Sequence, residues 1–244
     1  MGVNVIKNSL LIKNANIVDG SGEEAFKGDV SIEDGIISDI GNINGEFETI
    51  IEADGLTLTP GFIDIHTHFD PQLCWDGYAT PSIEHGVTTV VTGNCSLSLA
   101  PIRNGGEEKI ISMFQVIEDI KKPTFEEAVP FSWETFGDYL DHIKPNLGIN
   151  VGALIGHSAV RLYVMGGDSQ KREATDTEIK QMCEIVENAM EHGALGVSSS
   201  YVDVDENLHP VPSRFSCKKE KIALARAATN CLLYTSDAAD EERG

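Results

Sequence analysis

Apolar runs that stop abruptly in polar, chemistry-bearing residues recur along this chain after residue 60, and that punctuation limits its fold more than any other feature. Residues 61–68 (GFIDIHTH), 88–95 (TTVVTGNC), 149–157 (INVGALIGH) and 194–200 (ALGVSSS) are apolar along their length and polar at their C-terminal ends. Runs that are apolar on both faces mark parallel strands covered by helices. Between them lie helical patterns. The clearest, over 175–192, opens with Thr175 and Glu178 at capping-box spacing, puts Ile179, Met182, Val186, Ala189 and Met190 on one face, and closes at Gly193. Further helices are predicted over 107–120, 133–143 and 218–228.

The first 60 residues differ. SLLIKNANIVDG, GDVSIEDGIISDIG and TIIEADGLTLTPG are short β-prone runs separated by glycine and acidic turns, which predicts antiparallel strands in a small sheet. The predicted organisation is therefore α/β, with residues 1–60 as a β-subdomain and 61–230 as strand–helix units. Polar residues gathered at the C-terminal ends of successive parallel strands are where a (β/α)8 barrel places its chemistry. Four strand candidates are half of what a closed barrel needs, so an open sheet and half a barrel both remain. The last stretch, 231–244 (CLLYTSDAADEERG), does not continue the amphipathic pattern before it. It reads as a non-native tail on a truncated chain, with a genuine acidic tail as the alternative.

Charge narrows the partners. The chain has 18 Lys+Arg against 39 Asp+Glu, a formal net charge of -21. Nucleic-acid backbones and anionic membrane surfaces would repel it, which argues against both as partners. The N-terminus lacks the apolar core of a secretory signal, and no segment reaches the roughly 20 apolar residues of a membrane helix. Five widely spaced cysteines do not form a disulfide framework. These features predict a protein of the reducing cytoplasm.

The candidate chemistry sits at the strand ends. In His66-Thr67-His68 the two imidazoles, two residues apart on a strand, share a face and could hold a borderline metal such as zinc; two solvated turn histidines are the alternative. Cys95 ends the next strand as a metal ligand, a nucleophile or a small buried hydrophobe. His157 ends the third, either orienting a substrate or satisfied within the core. Ser199 and Tyr201 follow the fourth as candidate substrate-binding groups. His85 and His192, each before a glycine at a helix end, read as structural; His142 and His209 carry no signal.

TPGFIDIHTHFD, then HGVTTVVTGNCSLSLAP, PFSWETFGDYL, GALIGHSAVR and GALGVSSS, over residues 8–229, resemble the N-terminal half of the N-acyl-D-amino-acid deacylases (D-aminoacylases) of the amidohydrolase superfamily. The resemblance implies a composite β-sandwich, of which 1–60 would be the N-terminal part, before a metal-dependent (β/α)8 barrel. It implies that His66 and His68 match a His-x-His metal pair and that Cys95 matches the cysteine ligand of a tightly bound zinc. The family's two further histidine ligands and its proton-handling aspartate come from later strands, and only His209 follows Tyr201, so the catalytic acid–base is expected outside this chain.

The activity this implies for the parent protein is zinc-dependent hydrolysis of N-acyl-D-amino acids to a carboxylate and a free D-amino acid, with the chain alone expected to be inactive. The alternatives are a cyclic amidohydrolase of the hydantoinase or dihydroorotase kind, which would need a lysine where this chain reads GVSSSY, or a non-catalytic fragment. The insertion 101–146 is expected to lie over the pocket as a lid, with Arg103 as a carboxylate partner or a solvated surface residue.

Overall fold

A computed structural model describes residues 6–230; the tail 231–244 lies outside the described residues. Contacts divide the chain into two compact units, Met1–Gly61 and Phe62–Gly244. No helix among the described residues is long and apolar enough to cross a membrane.

The first unit is one sheet of five strands: β1 (Ile6–Ile17), β2 (Phe26–Glu33), β3 (Ile36–Gly41), β4 (Phe47–Glu52) and β5 (Thr57–Leu58). The order is β3-β2-β1-β4, with β5 continuing beside β1. Ala15, Ile17, Val30 and Ala53 form its small core, backed by Ile12, Ile32 and Leu58. The strands are not all antiparallel as expected. β2 pairs antiparallel with β1 and β3, but β4 and β5 run parallel to β1. The chain leaves β3 and crosses to the free edge of β1, and hydrophobic patterning records which face a residue occupies, not which way a strand runs.

The second unit carries four parallel strands, β6 (Phe62–Asp64), β7 (Val87–Thr92), β8 (Asn150–Gly156) and β9 (Gly196–Ser198), in the order β6-β7-β8-β9. Helices α1 (Glu107–Glu118), α2 (Lys122–Ala128) and α3 (Phe136–Ile143) separate β7 from β8. Helices α4 (His157–Met165) and α5 (Asp176–Glu191) separate β8 from β9, and α6 (Lys218–Asn230) follows. This is the partial (β/α) barrel the strand ends predict. Thr175 caps α5 by accepting from the Glu178 amide, and the Glu178 carboxylate accepts from the Thr175 amide in return. The apolar face of α5 packs into a continuous core with Val90, Ile155, Val160 and Leu224. The edge strand β6 leaves Phe62 and Ile63 exposed, and Ile65 just beyond it is 73% exposed.

Two elements escape the sequence reading. α2 opens on Lys122-Pro123, and α4 begins at the last residue assigned to a strand, His157. β6 is also shorter than expected and ends at Asp64, so His66 and His68 lie on the connection beyond it.

Candidate metal centre

Leaving β6, the chain stays bonded to its neighbour. The Thr67 amide and hydroxyl both donate to the Val91 carbonyl, at 3.0 and 2.8 Å. Thr67 is thereby buried and turned away while His66 and His68 face the other way. The Asn94 side-chain amide donates to the carbonyls of Thr67 and Val91 and ties the histidine segment to the end of β7.

Cys95 reaches the same place through a strained turn. Gly93 has φ +77°, and a Cβ there would meet the Leu154 carbonyl oxygen at 1.9 Å, so only glycine lets the backbone lie this close to β8. Cys95 and Ser96 follow with φ of 53° and 67°, in the left-handed region that costs L-residues roughly 1–2 kcal/mol each. The turn is held from three sides: the Ser96 amide donates to Ser198 Oγ, the Ser158 amide to the Ser96 carbonyl, and the Gly156 amide to Ser98 Oγ. Backbone strain retained by so many bonds is characteristic of functional turns.

The result is a cluster. One ligand atom each from His66, His68 and Cys95 fall within 4.8 Å of one another. His66 Nε2 is 3.3 Å from Cys95 Sγ, and the two imidazole rings meet edge-on with centroids 5.5 Å apart. Burial, reinforced by the neighbouring His66, pushes the His68 imidazole down to about 4, while Asp203 acts in the opposite direction. His68 Nδ1 is buried with no hydrogen-bond partner, a state that costs about 1–3 kcal/mol. A neutral imidazole with an unengaged nitrogen, beside a second imidazole and a thiol, is a donor set that suits zinc.

The other expected residues separate. His157 is only 1% exposed and both its nitrogens are engaged, Nε2 at 2.7 Å from Glu220 Oε1 and Nδ1 at 3.1 Å from Ser199 Oγ. Burial pushes the imidazole below its usual value despite the hydrogen bond and charge of Glu220. Tyr201 is half exposed, with the Lys221 ammonium 4.0 Å from its ring centroid. Arg103 is 4.6 Å over the Tyr163 ring and lines a cavity of about 300 Å³ with Pro101, Glu134 and Ile185.

Three participants were missed. Asp70 is 1% exposed, accepts from the Gly93 amide, and has its carboxyl pushed up to about 7 by burial. Glu220 and Arg161 form a fully buried pair. Burial raises the Glu220 carboxyl, but hydrogen bonds from His157 and Arg161 outweigh it and hold the group below its usual range. Glu220 sits in Lys-Lys-Glu-Lys, which reads as a solvated face. The i, i+4 spacing of His157 and Arg161 was the one available sign that both share a helix face.

Comparison with known proteins gives the chain its family. A profile of the amidohydrolase family matches residues 49–230. The D-aminoacylase of Alcaligenes xylosoxydans xylosoxydans is 35% identical over 192 residues, covering 78% of this chain and 37% of the relative. A solved D-aminoacylase, described by its binuclear metal centre, superposes with a TM-score of 0.79 at 28% identity, over 94% of this chain and 44% of that one. The N-acyl-D-glutamate deacylase of Bordetella bronchiseptica, solved with zinc and a phosphonate inhibitor, gives 0.75 at 27%, over 93% and 44%. The chain thus spans less than half the length of each of these relatives. It belongs to the amidohydrolase family and, within it, is similar to the D-aminoacylases.

Proposed function

We propose that this chain supplies the His66, His68 and Cys95 ligands of a zinc site in an enzyme that hydrolyses the amide bond of N-acyl-D-amino acids. The observation that carries the reading is the convergence of these three donors within 4.8 Å at the ends of β6 and β7. The named activities of the relatives supply the substrate class, and because the chain spans less than half of them, hydrolysis is assigned to the whole protein. Bound there, zinc supplies Lewis acidity toward an acyl carbonyl and acidifies water toward neutral pH.

The chain's own residues prepare the site. Burial keeps His68 neutral with a lone pair to give, and Thr67 and Asn94 fix the two imidazoles against β7. The turn after Gly93 presents the thiol, which binds a metal as thiolate. A cyclic-amide hydrolase of the hydantoinase kind would place a lysine after β9, where this chain has Ser199, Ser200 and Tyr201.

The test is zinc content after purification and dialysis. Wild type is expected to retain zinc, and the His66→Ala, His68→Ala double variant to lose it. Equal zinc in both, with both folded, would discard the assignment.

A further inference from the structure

Asp70 stands two residues beyond His68 and is only 1% exposed, yet it is not one of the donors that converge in the cluster. Its carboxyl points instead to the turn that carries the thiol, where Oδ2 accepts from the Gly93 amide at 3.0 Å. The same two segments are joined on the other side of His68, where Asn94 Nδ2 donates to the Thr67 carbonyl at 3.1 Å. His68 therefore lies between two cross-links, and both land on the residues immediately before Cys95. The backbone of Asp70 is fixed in turn, because the hydroxyl of Tyr139, a fully buried residue of α3, donates to its carbonyl at 3.1 Å.

Gly93 is buried, so without the Asp70 carboxyl its amide would be a buried donor with no acceptor, a costly state. Cys95 and Ser96, which follow, are already held in the left-handed region. Relaxing that strain is the easiest way for the amide to find a new partner, and it would carry the thiol away. The bonds to Ser198 and Ser98 fix the far side of the turn against β8 and β9, whereas Asp70 fixes its near side against the segment carrying the histidines.

We infer that Asp70 is a positioning residue for the metal site: through the Gly93 amide it sets where the Cys95 thiol stands relative to His66 and His68. This rests on the zinc reading above and deepens it. Because the effect passes through the turn, the carboxyl matters to metal binding only while the thiol is a ligand. A side chain that merely filled space beside the histidines would matter equally with and without the thiol.

The experiment is a double-mutant cycle on the zinc affinity of the 244-residue chain, measured by competition with a chromophoric chelator. Asp70→Ala is expected to weaken zinc binding about 10–100-fold in the wild-type background, the usual effect of losing a group that orients a ligand. In Cys95→Ala the same change is expected to cost less than about twofold, the scatter of independent sites. Asp70→Asn keeps an oxygen for the Gly93 amide and is expected to bind zinc within about threefold of wild type. With cobalt(II), the sulfur-to-metal charge-transfer band is expected to weaken in Asp70→Ala and to return in Asp70→Asn. Equal losses in the two backgrounds, no loss in either, or an asparagine variant no better than alanine would each overturn the inference, and zinc bound by wild type would leave the metal reading standing. A wild type that binds no zinc would overturn both. Should Asp70→Ala not fold, Tyr139→Phe, which frees the Asp70 carbonyl but keeps the ring, goes through the same cycle. A smaller loss confined to the wild-type background supports the inference, and equal losses or none overturn it.

Discussion

His66 Nε2 lies 3.3 Å from Cys95 Sγ across 29 residues of sequence. A soft thiolate and an imidazole at this separation give a mixed nitrogen–sulfur donor set, which suits zinc or cobalt better than the hard, oxygen-seeking cations. Cys95→Ser is expected to weaken zinc binding on the order of a hundredfold, since even outer-shell changes cost 10–100-fold. With cobalt(II) in place of zinc, wild type should show a sulfur-to-metal charge-transfer band that the serine variant lacks. A band of unchanged intensity in Cys95→Ser would remove the thiol from the site.

Gly93→Ala tests whether the turn holding that thiol depends on its glycine. The added Cβ would collide with the Leu154 carbonyl at a φ of +77°. Overpacking and left-handed strain together are expected to cost about 3 kcal/mol, read as a lower urea midpoint. Gly105→Ala, also at positive φ but with open space around it, should lose only the roughly 1 kcal/mol of the backbone term. Equal losses would mean that the close approach to β8 is not the constraint.

The Arg161–Glu220 pair should behave as a buried ion pair rather than a surface one. Arg161→Met leaves the Glu220 carboxylate buried without its guanidinium and is expected to destabilise by about 3–5 kcal/mol. Adding Glu220→Gln removes the stranded charge and should recover part of that loss. A double variant no more stable than Arg161→Met alone would show that packing of the arginine stem, not charge, dominates.

Acid sensitivity follows from His157. Its imidazole is held below the ordinary value of 6.5, by burial first, so the folded state resists the proton that the unfolded chain accepts. The share of stability owed to His157 is therefore complete above the ordinary imidazole value and falls as pH drops below it, as does the share owed to His68, pushed down to about 4 by burial. Glu220, held below its ordinary 4.5, adds a further loss on the acid side of that value. The charges facing the ring are Glu220, Arg161 and Lys221. His157→Gln is expected to flatten the dependence of the urea midpoint on pH between about 6.5 and 5. An unchanged slope would show that other groups set it.

What could be read in advance divides by the range of the interactions involved. The four parallel strands, though not their ends, the α5 capping box and the three donors that converge were legible because each is written in a few consecutive residues: Thr175 with Glu178, His66 with His68, Cys95 after an apolar run. The parallel pairing of β4 with β1 was not, since Leu10 and Thr49 meet through a crossover that no local pattern encodes. Glu220 was hidden for the same reason. Flanked by lysines, it looks solvated, and only the docking of α6 against His157 and Arg161 makes it a buried anion. Asp70 was overlooked although it stands two residues beyond His68, because nothing local says that its carboxyl will meet the Gly93 amide.

The turn at Gly93 also says something about the order of assembly. Cys95 is held where it is by Leu154, Gly156, Ser158 and Ser198, residues that a ribosome makes some 60 to 100 positions later. The segment carrying the two imidazoles is tied down once β6 has paired with β7, through Thr67, Val91 and Asn94, but the turn carrying the thiol is fully held only when β8 and β9 are in place. A metal that needs all three donors would therefore meet a fold already formed, as a seal on it rather than the seed from which it grows.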